Sequence, residues 1–255
     1  APMPRQFPTS SLAYAGVLSL DEPPPVSSMR ISLIPFVSGG FTSDYEAAYG
    51  TEYQKDAGFD AKIGFSSSMN LDLTFNPDFG QVEVDQQVTN IDRFELFFPE
   101  KRQFYLENSD LFSGFGYNTL TYLIYRRFSG VGYQIITPFF TRRIGLDAPV
   151  LGGARLSGKI GNDWRIGFMN MTTRRTGEHL SYNYTVSTIQ KKVFARSNFG
   201  FILVNKEYLG QSENSKLFNR VLGFDYNLAT KNNFWEGKFF YHRSFQPEDP
   251  DNQYA

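Results

Sequence analysis

From Met29 onward, apolar and polar residues alternate in runs of about ten, each closed by a cluster of Gly, Asn, Asp, Ser or Lys. Successive side chains of an extended strand point to opposite faces, so this pattern builds sheets with one apolar face. Ala57, Phe59, Ala61, Ile63 and Phe65 share one face while Asp60, Lys62, Gly64 and Ser66 take the other. After a turn at Ser66 to Ser68, Met69, Leu71, Leu73 and Phe75 oppose Asn70, Asp72, Thr74 and Asn76. Past Gly161-Asn162-Asp163, whose residues tolerate the positive φ of a tight hairpin, the same pattern recurs. It runs through Trp164–Phe168, Tyr182–Val186, Arg196–Tyr208, Leu222–Leu228 and Trp235–Tyr241.

A sandwich core and a membrane barrel both produce alternation, and the length and aromatic content of the runs separate them. Strands crossing an outer membrane need about nine to eleven residues, whereas soluble strands are more often about five or six. Phe (26) and Tyr (15) lift the aromatic share to 17%, and these are the residues of the lipid-facing band and interfacial girdles of membrane barrels. The mean hydropathy is nevertheless −0.36, because polar residues are interleaved with the aromatics. No stretch approaches the roughly 20 apolar residues of a membrane helix. Adjacent runs joined by short turns predict an all-β, antiparallel up-and-down transmembrane β-barrel. The runs suggest eight or nine strands; because antiparallel closure takes an even number, the expectation is the N-terminal part of a larger barrel.

Two segments interrupt the rhythm. Residues 1–28 are Pro-rich, with Pro2, Pro4, Pro8 and Pro23-Pro24-Pro25, and read as an extended linker that continues from something preceding it. The barrel segment then occupies 29–255, and within it about 77–116 is a charged, aromatic, non-alternating insert, read as a plug or an inward-folded constriction. Absence of cysteine removes disulfides, thiol nucleophiles and thiolate metal sites. With 25 basic and 26 acidic residues, there is no basic field to collect nucleic acid.

The candidate site residues are carboxylates and cations of the insert and its surroundings: Asp78, Glu83, Asp85, Glu95, Glu100, Lys101, Arg102, Glu107, Arg142 and Arg143. Asp78, Glu83 and Asp85 supply the oxygens a calcium ion selects, but their spacing matches no calcium loop, so no metal is assigned. Rings of fixed charge filter solutes in pores. The balanced signs here favour the alternative, a network that holds the insert against the wall by satisfying its own charges. Paired carboxylates also serve glycosidases, although sequence cannot supply their separation. His179 and His242 sit apart and offer no Ser-His or His-metal centre, and no Gly-rich loop opens a helix to cradle phosphate. No catalytic residue and no cofactor is therefore assigned.

The insert also carries a resemblance. The run Asn76-Pro77-Asp78-Phe79-Gly80-Gln81-Val82-Glu83-Val84-Asp85 leads through Asn90 and Arg93-Phe94-Glu95 to Phe97-Phe98-Pro99-Glu100-Lys101-Arg102. Phe104-Tyr105-Leu106-Glu107, Asp110-Leu111-Phe112, Thr141-Arg142-Arg143-Ile144-Gly145 and Leu151 to Lys159 follow. These blocks resemble a family of outer-membrane barrel proteins of unknown function that typically follow an N-terminal carbohydrate-binding module of the family-nine type. Two departures are Tyr105, where that family usually has Phe, and Gly116 to Gln134, which reads as an insertion between blocks.

Together, these readings predict an integral, non-catalytic protein of the bacterial outer membrane, a channel, transport or envelope-assembly component. It would contact outer-membrane lipid and other envelope proteins. The alternative is a membrane anchor for a cell-surface protein that binds or hydrolyses carbohydrate, with glycans reached through a domain outside this chain. A soluble sandwich is the third reading, and it would leave membranes in carbonate buffer.

Overall fold

The computed structural model describes residues 21–22, 30–42, 52–78, 100–116, 136–146, 148–177, 179–210, 217–232 and 234–247. The alternating runs form nine strands: β1 (Arg30–Thr42), β2 (Glu52–Gly64), β3 (Met69–Phe75), β4 (Val150–Ile160), β5 (Trp164–Thr173), β6 (Tyr182–Val193), β7 (Ser197–Tyr208), β8 (Phe218–Ala229) and β9 (Glu236–Phe245). They make one antiparallel sheet in chain order, a meander without crossovers. The sheet is not closed among the described residues: β1 pairs with β2, and β9 with β8. The all-β, up-and-down expectation holds at that level. Trp235, expected to open the last strand, lies just before it, where its backbone N–H donates to the Thr230 hydroxyl oxygen at 3.0 Å.

Links at the two ends of the strands differ in length. At one end the turns are short: 65–68, 161–163, 194–196 and 230–235. Gly161 takes φ +61° and Phe194 φ +55° to make two of them, the left-handed conformation that tight hairpins demand. At the other end the links are longer, and the longest, residues 76–149, holds α1 (Gln103–Leu106), α2 (Asp110–Ser113) and a 3-10 turn at Thr141–Arg143.

The two faces of the sheet differ in what covers them. Register places Leu71, Leu156, Phe168, Ser187, Leu203 and Leu222 in one cross-strand row on the open face. The adjacent row carries Ile166, Ile189, Phe201, Phe224 and Tyr241. Phe168 keeps 43% of its surface exposed, Phe224 47% and Tyr241 54%. The intervening residues point the other way, and there Met169, Met171, Val186 and Ile202 are buried beneath the insert. Leu111, Phe112 and Phe115, from α2 and the residues after it, join Tyr105, Phe139 and Ile144 to complete that core.

Two wall glycines make the close approach possible. A Cβ at Gly167 would stand 2.9 Å from the Phe112 ring, and one at Gly200 would stand 2.9 Å from the Phe115 ring. The aromatic rings of the insert thus seat where the strands carry no side chain.

Candidate functional site

The buried charges among the described residues lie on the covered face, where insert meets wall, and within the insert. Register sets Lys62, Asp72 and Arg155 side by side on β2, β3 and β4. Arg155 is 1% exposed and donates Nη2 and Nε to Asp72 Oδ2 at 2.7 and 3.2 Å, and Nη1 to the Glu107 carbonyl at 2.7 Å. Its guanidinium also lies 5.2 Å from the Phe104 ring centroid. A buried guanidinium needs this much compensation, because its desolvation costs several kcal/mol (roughly) if unpaired. The Glu107 carboxylate accepts from Lys62 Nζ and, at 2.7 Å, from Asn70 Nδ2. This side of the insert is therefore tied to three successive strands.

A second cluster organises the insert itself. Glu100 accepts from Arg102 Nε and Nη2 at 2.8 and 2.7 Å, and from the backbone N–H groups of Lys101 and Arg102. Arg102 also donates to the carbonyls of Ile144 (2.5 Å) and Thr141 (2.7 Å), bridging the chain across some forty positions of sequence. Its guanidinium stands 4.3 Å from the Tyr105 ring centroid. Burial works to raise the Glu100 carboxyl, but hydrogen bonds from Arg102 and Thr141 and the Arg102 charge outweigh it and hold it below the ordinary carboxylate value. Burial pushes the Tyr105 phenol up.

The third cluster fastens the C-terminal end of the described helical part. Asp225 on β8 accepts from the Gly116 N–H at 2.8 Å, pairs with Lys238 Nζ at 2.9 Å, and lies 2.6 Å from His242 Nε2. Lys238 Nζ also donates to the Gly114 carbonyl at 3.0 Å. Gly116 takes φ +72° here, and a Cβ would meet the Ile136 carbonyl oxygen at 2.2 Å.

Of the residues singled out by sequence, Glu100, Arg102 and Glu107 fall within these clusters. Lys101, Arg142 and Arg143 sit beside the second cluster and are engaged in contacts of their own. Asp78 is exposed three residues beyond β3 and is engaged in a contact of its own. Glu83, Asp85 and Glu95 lie outside the described residues. Sequence reasoning missed Asp72, Arg155, Asp225, Lys238 and the engagement of His242. Asp72 stands on the polar face of its run, but alternation reveals nothing of partners as distant as the 124 positions that separate Lys238 from Gly114. Omitting the insert and treating β3 and β4 as one hairpin would have set Asp72 opposite Arg155.

A cleft of about 280 Å³ opens between residues 137–144 and the wall, lined by Phe139, Phe140, Arg143, Tyr184, Lys206 and Asn219 among others. Among the described residues no helix is long and apolar enough to cross a membrane. Residues 27–225 match the model of a family described as a domain of unknown function, DUF5916. No curated protein and no solved structure matches the chain.

Proposed function

The chain belongs to the DUF5916 family, and on the physical character of its sheet we propose that it is an integral, non-catalytic β-barrel component of the bacterial outer membrane that serves transport or envelope assembly. The observation carrying this reading is the row of large apolar side chains left open on the uncovered face of the sheet. A soluble antiparallel sheet turns its apolar face to the core and its polar face to water. Here large apolar side chains also line the open face, while the covered face buries Asp72, Arg155, Ser157, Thr188, Asp225 and His242 beside the apolar Met169, Met171, Val186 and Ile202. Contiguous exposed apolar surface beyond a few hundred Å² is uncommon on soluble monomers and marks a face that a partner or a membrane covers.

The open apolar band also has the slant that a membrane would impose. The row through Ile31, Ile63, Leu71, Leu156, Phe168, Ser187, Leu203 and Leu222 follows the hydrogen-bond register. On β1 the band runs from Ile31 to Phe41, so its midpoint lies five residues from this row toward the long links. On β8 it runs from Leu222 to Leu228, with its midpoint three residues toward the short turns. The band therefore slips eight residues over seven strand steps, about one per step. A flat slab cutting strands tilted by about 35–45° and spaced about 4.8 Å slips roughly 3.4–4.8 Å per step, or about 1 to 1.5 residues.

Polar residues flank the band on β5–β8. Asn170, Asn183 and Thr185 hydrogen-bond one another on the open face, and Arg220 Nε donates to Asn205 Oδ1 at 2.8 Å. They lie toward the long links, which in outer-membrane barrels are extracellular, whereas the short turns are periplasmic. Nine antiparallel strands leave β1 and β9 running in the same direction, so antiparallel closure takes at least one further strand and suits a larger barrel. In this reading the insert is a plug that fills the lumen and is bolted to it by the three clusters.

The test is membrane extraction of the full chain followed by reconstitution in planar bilayers. Retention through carbonate washing and solubilisation only by detergent is expected, together with conductance steps changed by Arg102→Ala. Release into carbonate would overturn the barrel.

A further inference from the structure

A different concentration of charge lies at the short-turn ends of β4 to β7, away from the clusters that hold the insert. Lys159 on β4 stands directly across from Arg165 on β5. Like charges in one cross-strand pair repel and destabilise the sheet. The two side chains line a cleft of about 320 Å³ with Lys192 of β6 and Arg196 of the β6–β7 turn, and Asp163 is the single acidic lining residue. Asp110 of the insert reaches Arg165 at 2.6 Å, but its side chain is 62% exposed, so solvent screens that pair and it offsets little of the positive field.

We propose that this cleft binds a small polyvalent anion of the phosphate class. Lys159, Arg165 and Lys192, from three consecutive strands, face one opening beside Arg196, and the like charges of Lys159 and Arg165 across one pair cost repulsion that a bound anion would relieve. A singly charged ion engages too few of them to offset that repulsion, whereas a diphosphate presents several oxygens and several charges at once. Gln190, Asn162 and Asn198 on the rim supply neutral donors. Strand register places Lys159, Arg165 and Lys192, and the two short turns bring Asp163 and Arg196. If the sheet is the wall of a barrel, the cleft lies at the short-turn mouth of the lumen.

The experiment is calorimetric titration of the full chain, in a non-ionic detergent at low salt, with inorganic pyrophosphate, with monovalent chloride as the control. Saturable binding that weakens as salt rises is expected. Lys159→Gln and Lys192→Gln should each raise Kd by roughly fivefold or more through loss of one close charge, while Lys55→Gln, on the far side of the sheet, leaves it unchanged. The two cleft variants relieve repulsion, so their thermal midpoints should equal or exceed that of the parent chain. Absence of saturable pyrophosphate binding by the parent chain would overturn the proposal, as would an equal loss of affinity in Lys55→Gln. Release of the chain by carbonate would instead count against the barrel and leave pyrophosphate binding standing.

Discussion

Replacing Arg155 by Met tests how the insert is held. Arg155 is almost completely enclosed, and its three donors meet the Asp72 carboxylate and the Glu107 carbonyl. Methionine preserves much of the volume but removes every donor, so Asp72 becomes a buried carboxylate with its charge uncompensated. Breaking one side of such a pair costs roughly 3–5 kcal/mol, or about two to three and a half orders of magnitude in the folding equilibrium. Removing both charges should be far milder. In Asp72→Leu/Arg155→Met only the Glu107 carbonyl loses its donor, a loss of about 1 kcal/mol, and apolar packing can offset it. Urea unfolding of the detergent-solubilised full chain, followed by fluorescence of Trp164 and Trp235, measures both variants against the parent. A single variant within about 1 kcal/mol of the parent, or a double variant less stable than the single, would refute the argument that this charge is compensated chiefly by Asp72.

Three further outcomes follow from the same geometry. Gly200→Ala places a methyl against the buried Phe115 ring and should lower stability by about 1–3 kcal/mol through overpacking; Gly237→Ala, with nothing within 4 Å, should change it by less than about 0.5 kcal/mol. In a bilayer, Leu222→Arg within the open apolar row should cost about 2–4 kcal/mol, whereas Glu207→Arg, beyond the band toward the long links, should cost about 0–1 kcal/mol, both read by urea titration in vesicles. The Glu100 carboxyl is held below its ordinary value, so its contribution to stability is complete above the unfolded-state pKa and is lost as pH falls through the lower folded-state value. Unfolding free energy should therefore decline on acidification below about pH 4.5, and Glu100→Gln should flatten that part of the profile while lowering stability at neutral pH.

Much of the sheet was legible because period-two patterning is local. Met69–Phe75 was read from its alternation alone, and the turns at Ser66–Ser68 and Gly161–Asp163 from residues that suit them. The inward and outward faces were legible too, since Leu71 and Asp72 must point oppositely whatever lies around them. The contacts of the insert were not. Glu100 and Arg102 are near neighbours and could be suspected of pairing, but their hold on Thr141 and Ile144 crosses a long stretch without periodicity. Asp225 looked like an ordinary polar position on β8, and only the arrival of Gly116 from 109 positions away reveals its work. Gly167 and Gly200 looked like weak points in strands, and the aromatic rings that need those gaps come from α2 and its C-terminal flank. Alternation says which face a side chain takes and nothing about what a distant segment brings to that face.

The most direct test of a bilayer around the open face uses the depth of individual positions. Single tryptophans, in a background where Trp164 and Trp235 are replaced by Phe, would be placed at Phe201 and Phe224 in the band, at Asn183 beyond it, and at Val186 on the covered face. Fluorescence is then compared in vesicles with and without lipids brominated along their acyl chains. The account predicts strong quenching at 201 and 224, and little at 183 and 186. Equal emission with and without bromine at 201 and 224, or quenching at 186 as strong as at 224, would contradict it.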